Sequence, residues 1–133
     1  MKTRRIFILS PHTLLARGVE RLLHDQRGLR VVGTETDSRQ GMKQIGLLRP
    51  DVVILGNEIG TPPSLAAVSA IFEASPGTVV IGLCTGNNLL HVYQDNQINV
   101  ARLEDLIEAI RHAGATRIRS RETVVKTKRR GDE

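Results

Sequence analysis

Apolar residues come in short blocks, and their spacing changes from block to block along the chain. Ile6–Leu9 is a continuous apolar run, rich in strand formers and too short for a helix, so Arg5–Leu9 is predicted as a first strand. Ser10-Pro11-His12-Thr13 then has turn chemistry. Behind it, Leu15, Val19, Leu22 and Leu23 recur at helical spacing and predict one apolar helix face, ending near Asp25 with Gly28 just past it. Leu29–Thr34 is a second strand. Asp37 or Ser38 can cap a second helix by accepting backbone N–H bonds, with Met42, Ile45 and Leu48 as its stripe. Gly41 and Gly46 weaken that helix, by about 1 kcal/mol each relative to alanine where exposed. Pro50 stops it, and Val52–Leu55 follows as strand three. Ser64 is placed to cap a third helix lined by Leu65, Val68, Ile71 and Phe72, which Ser75-Pro76-Gly77 breaks before strand four, Val79–Leu83.

Strand–helix alternation up to this point calls for a parallel sheet with helices on both faces and right-handed crossovers. The remainder is less regular. Thr85-Gly86-Asn87-Asn88 reads as a turn and Leu89–Tyr93 as a short fifth strand. Parallel pairing needs roughly a dozen or more connecting residues, so the helix before strand five is expected to be lost or cut to about one turn. A last helix is predicted over Val100–His112, with Leu103, Leu106, Ile107 and Ile110 on one face and Gly114 after it. Residues 115–133 lack apolar periodicity and are expected to form a flexible tail after a domain at 1–114.

Composition adds limits. A chain of 133 residues fits one domain, and 40% hydrophobic content suffices for a core. The aromatics are Phe7, Phe72 and Tyr93, so that core must be aliphatic. The uncharged stretch Ile59–Phe72 is broken by Pro62, Pro63 and serines, and no membrane association is expected. The apolar run behind the basic start is too short for a signal-peptide core. A single cysteine, Cys84, excludes an internal disulfide and fits a reducing, cytoplasmic setting. Four scattered histidines and one cysteine give no metal-ligand spacing, and no cofactor is expected. Charge is uneven: the net is +5, yet Pro50–Ala101 holds no Lys or Arg, while Arg111–Arg130 holds eight. That asymmetry bears on partners rather than on fold.

The stretches SPHTLLARGVERLL, LRVVGTETDSRQGM, LRPDVVILGNEIG, ASPGTVVIGLCTG and LEDLIEAIRHAGA, in this order, resemble the receiver domain of bacterial two-component response regulators. The resemblance is nearest to the LuxR/NarL-type branch and spans most of residues 5–114. It implies an α/β fold, a flavodoxin-like (CheY-like) three-layer sandwich. Its five-stranded parallel sheet would have order 2-1-3-4-5, with helix four lost or much shortened. It also implies site residues that this chain lacks. The two acidic residues that hold Mg²⁺ after strand one fall on Ser10 and Pro11. The phosphoacceptor aspartate falls on Gly56, and the Ser/Thr ending strand four on Cys84, with Thr85 adjacent. The lysine ending strand five has no candidate. His12 matches a histidine often found after the acidic pair. In the family, phosphorylation shifts the face made by helix four, strand five and helix five, and that region is rewritten here.

Mg²⁺ takes oxygen ligands including carboxylates, and phosphoryl transfer needs the metal or a cationic clamp to spread developing charge. Glycine offers no nucleophile. The chain therefore reads as a pseudo-receiver that is not an enzyme and acts through a protein partner, in transcriptional control among other settings, with a homodimer as one arrangement. Bared apolar surface is expected at Val68 or Val92.

Glu58 could mimic a phosphate, but a solvated loop acid is the plainer reading. Cys84 reads as a buried strand-end residue rather than a reactive thiol. Ser10, His12 and Thr85 read as turn residues, with no nucleophile elbow and no phosphate-binding glycine loop in the sequence. The tail residues Arg117, Arg119, Arg121, Lys126, Lys128, Arg129 and Arg130 leave three readings open: phosphate contacts to nucleic acid, an acidic protein partner, or a solvated linker.

Overall fold

The computed structural model describes residues 3–56, 64–84, 88–94 and 97–112. In chain order they form β1 (Arg4–Leu9), α1 (Thr13–His24), β2 (Leu29–Glu35), α2 (Ser38–Leu48), β3 (Val52–Gly56), α3 (Leu65–Ala74), β4 (Val79–Cys84), β5 (Leu89–Gln94) and β6 (Gln97–Arg102). A short 3₁₀ turn (Leu103–Asp105) then leads into α4 (Leu106–Arg111). One sheet has the order β2-β1-β3-β4-β5-β6. The β1–β2, β1–β3 and β3–β4 pairs are parallel, as expected from the strand–helix alternation.

The far side of the sheet departs from the expected five parallel strands. β5 runs antiparallel to β4, and β6 antiparallel to β5. The reason is chain length. Cys84 and Leu89 are partners at one end of the β4–β5 pair, so the link between them is too short to carry the chain back for a parallel strand. The first half of the expected last helix is also strand. Gln94 pairs with Gln97, which leaves the two-residue connection that favours a hairpin. Ile98-Asn99-Val100 then alternates apolar and polar with β-branched residues, which suits a pleated ribbon better than a helix. Only Leu106, Ala109 and Ile110 form the buried face of α4, with Leu103 and Ile107 packed partly against the core.

Two apolar cores sit on opposite faces of the sheet, one aliphatic and one that also holds Phe7 and Tyr93. Ile6, Ile8, Val52, Ile54, Ile81, Leu90 and Val92 meet α1 and α4 on one face. Phe7, Leu9, Val53, Leu55, Val80 and Tyr93 meet α2 and α3 on the other. Period-two alternation along each central strand feeds both cores, which is why β3 and β4 are buried throughout. Leu22, expected on the inner face of α1, is 50% exposed. Ala16, Val19 and Leu23 are the buried residues of α1, and a step of about 100° per residue carries Leu22 off that stripe. Val68 and Val92, expected to be bared, are both buried, because the β5–β6 hairpin turns Val92 toward α4 and α3 keeps Val68 against the sheet.

The ends of α2 and α3 show how local chemistry fixes these elements. Asp37 caps α2 by accepting from the Arg39 N–H at 2.9 Å, and Ser64 caps α3 by accepting from the Ala67 N–H at 3.1 Å. α2 closes on Arg49 in the left-handed region (φ 47°), immediately before Pro50, which disfavours right-handed helix in the residue preceding it. Arg5 completes that end by donating from Nη1 to the carbonyls of Leu48 (2.7 Å) and Arg49 (3.1 Å). Gly41 is a close-approach glycine rather than a weak point, since a Cβ there would stand 2.5 Å from Leu9 Cδ1.

Candidate functional site

The carboxyl ends of parallel strands are where ligands bind in an open α/β sheet. In this chain that rim is formed by Ser10 after β1, Gly56 at the end of β3 and Cys84 at the end of β4, and the structure brings all three to it, with Pro11 exposed beside them. Ser10 is only 1% exposed. Its N–H donates to the Glu35 carbonyl at 3.0 Å, and its Oγ accepts from the His12 N–H at 3.1 Å. The hydroxyl thus holds the turn that starts α1. His12 is the N-cap residue of α1, and its side chain makes no cap hydrogen bond.

Gly56 lies between β1 and β4 and is buried. A Cβ on it would meet Ser10 Oγ at 2.6 Å, Leu15 Cδ2 at 2.8 Å and Ser10 Cβ at 2.9 Å. The space a side chain would need is already occupied by a hydrogen-bonded serine and the first inward leucine of α1. Cys84 is 2% exposed, and burial pushes its thiol above the ordinary range. A nucleophilic cysteine requires the opposite shift. Burial, with a smaller contribution from Cys84, likewise raises the Tyr93 phenol.

One carboxylate on this rim was missed in the sequence, because β2 extends one residue past the predicted strand, to Glu35. The Glu35 side chain is committed to its own loop. Its Oε2 accepts from the Thr36 and Asp37 N–H groups (3.3 and 3.2 Å), and its Oε1 accepts from Gln44 Nε2 at 2.9 Å. Asp37 is engaged in capping α2. A Mg²⁺ site of the receiver type asks for carboxylates converging at the ends of β1 and β3. A buried, already bonded hydroxyl, a proline, a glycine and a protonated thiol do not fit that ion. Among the described residues no group of three or more His, Cys, Asp or Glu is placed to hold a metal.

Elsewhere, an open cleft of about 630 Å³ at the base of the β5–β6 hairpin is lined by Asn88, Leu89, Arg102, Leu103 and Glu104. Its charged pair, Arg102 and Glu104, is solvent-exposed at 3.3 Å, so it contributes little binding energy of its own. Glu58, Thr85 and the seven basic tail residues from Arg117 to Arg130 lie outside the described residues. Among the described residues no helix is long and apolar enough to cross a membrane.

The strand order β2-β1-β3-β4, with helices on both faces of the sheet, defines a receiver-type α/β fold. Comparison with solved structures agrees. The signal receiver domain of the response regulator NarL from Mycobacterium tuberculosis superposes with a TM-score of 0.54 at 23% identity, over 63% of this chain and 68% of that one. In sequence, the chain is similar to response regulator GacA of Pseudomonas viridiflava, at 28% identity over 79 residues. It is also similar to protein-glutamate methylesterase/protein-glutamine glutaminase 2 of Methanosarcina acetivorans, at 30% identity over 79 residues. Each match covers 59% of this chain, but only 37% of GacA and 22% of the methylesterase. The chain therefore spans well under half the length of these curated relatives, and the match covers a receiver region alone. No protein-family model matches the chain.

Proposed function

We propose that this chain is a receiver-fold regulatory module that signals by protein contact and is not phosphorylated at the end of β3. The observation that carries the reading is the filled space at Gly56: the position lacks a nucleophile, and Ser10 and Leu15 stand where a side chain would extend. Ser10, Pro11, Gly56 and Cys84 are, on this reading, a degenerate form of the receiver site, and the module has no catalytic role of its own. The similarity to response regulators supports a place in two-component signalling and transcriptional control. The single, buried Cys84 fits a reducing cytoplasm. Residues 1–114 form the domain and 115–133 its basic extension. The direct test is incubation with acetyl phosphate and Mg²⁺ followed by intact-mass measurement, for which the expected gain is zero phosphoryl groups.

A second reading rests on charge. Eight Lys and Arg between Arg111 and Arg130 could neutralise nucleic-acid phosphates without reading sequence. Truncation after residue 114 separates the two. If the extension binds nucleic acid, the full chain is retained on DNA with a steep salt dependence and the truncated chain is not. If neither is retained, the basic extension serves a protein partner or acts as a linker.

A further inference from the structure

We infer that β6 is a self-pairing edge, and that a second copy of this chain adds to it antiparallel to make one continuous sheet across a two-fold axis. This deepens the proposed function by assigning the contact surface for one partner.

The two edges of the sheet are built differently. β2 carries Arg30 and Glu35 and loses register with β1 between Ile6 and Phe7. Charges and irregularity of this kind protect an edge from further pairing. β6 has no such irregularity, and its one charge stands at its last residue. It pairs with β5 over six consecutive residues without a shift, and its sequence, QINVAR, holds no charge before Arg102. It contains no proline and no inward-pointing charge.

The backbone of β6 faces outward at defined residues. The Leu103 N–H donates to the Asn88 carbonyl at 2.8 Å, one step beyond the Leu89–Arg102 pair. Hydrogen-bonded and non-bonded pairs alternate in an antiparallel ladder. The backbone groups of residues 101, 99 and 97 therefore turn toward β5, and those of Ile98, Val100 and Arg102 turn to the open edge. Ile98 and Val100 are also the exposed apolar residues of the strand, at 52% and 40%.

This pattern is symmetric about Asn99, as a two-fold interface requires. With Asn99 opposite Asn99 of the copy, each Ile98 faces a Val100. Each such pair exchanges two main-chain hydrogen bonds, and each buries apolar surface now in water. The alternative register with Val100 opposite Val100 sets Ile98 against Arg102 and loses the apolar match. In the Asn99-centred register the two Arg102 side chains stand six residues apart, roughly 20 Å at about 3.4 Å per residue, so like charges do not meet. Self-complementarity in backbone groups, apolar residues and charge selects a second copy as the occupant. Edge pairing covers less surface than the roughly 1,200–2,000 Å² of standard stable interfaces, so the dimer is a reversible one.

The test uses the full chain. Sedimentation equilibrium over a wide concentration series should show a monomer–dimer equilibrium. Ile98→Lys and Val100→Lys should each weaken it at least tenfold while leaving the far-ultraviolet circular dichroism spectrum unchanged, and Val100→Thr should retain it. Asn99→Cys gives a positional readout: mild oxidation should link two copies through position 99, whereas Arg30→Cys on the opposite edge should not cross-link. Cys84 is buried and does not compete. A monomer at every concentration, a dimer indifferent to both lysine variants, or equal cross-linking from positions 99 and 30 would overturn the inference. None of these outcomes depends on phosphorylation, so a phosphoryl gain with acetyl phosphate would remove the proposed function and leave the edge intact, and the reverse also holds.

Discussion

Gly56 is held by neighbours that leave no room for a methyl group. Ser10 cannot easily withdraw, because its Oγ accepts from the His12 N–H and its own N–H is bonded to the Glu35 carbonyl. Leu15 is the more adaptable of the two, packed partly against the α1 side of the sheet. Gly56→Ala should therefore destabilise the fold by about 1–3 kcal/mol, the usual cost of overpacking. Urea titration would read this as a lower midpoint with unchanged slope. An unaltered midpoint would mean that the space at β3 is open. The absence of acid at positions 10, 11 and 56 was legible from the sequence through the resemblance. The filling of the space was not, because it depends on how Leu15 leans over β3, a distance that no linear spacing contains.

At the scale of elements, the hairpin β5–β6 is the largest difference between expectation and structure. Turn chemistry before it and a short apolar-rich run marked Leu89–Tyr93 as a strand, but neither fixes which way a strand runs. Direction was set by the short link after Cys84, and that link was visible in the sequence. The caps at Asp37 and Ser64 were legible because an N-cap is local chemistry, whereas Leu22 was misplaced because its neighbour Leu23 satisfies nearly the same spacing. His91 gives this hairpin a pH signature. It lies edge-on to Tyr93, with ring centroids 6.3 Å apart, and opposite Val100. Burial lowers its pKa below the ordinary histidine value of about 6.5. Its folded form thus resists protonation more than its unfolded form does. The contribution is fully present above the unfolded value and is lost as pH falls through the folded one. Urea midpoints of the wild type should fall between about pH 7.5 and pH 5 more than those of His91→Gln. Parallel pH profiles for the two proteins would show that the half-buried imidazole is not desolvated.

For the whole molecule, two features stand at opposite ends of one sheet system. Four parallel strands and their helices keep the receiver fold, with an apolar core on each face of the sheet. Beyond β4 the chain replaces a crossover with an antiparallel ribbon whose outer edge is uncharged along most of its length. The general fold followed from strand–helix order, since each short strand and amphipathic helix needs a partner layer. What the molecule offers to others depends on surfaces, and those follow from three-dimensional packing that no linear pattern contains. On this account the scaffold transmits through shape and contact, while the rim at Ser10, Gly56 and Cys84 is packed shut. The most direct measurement is intact mass after exposure to acetyl phosphate and Mg²⁺, with Gly56→Asp run beside the wild type. The account predicts no phosphoryl gain in either protein, because the variant supplies a carboxylate but neither the metal ligands nor the room. A stoichiometric gain of one phosphoryl group on the wild type would contradict it.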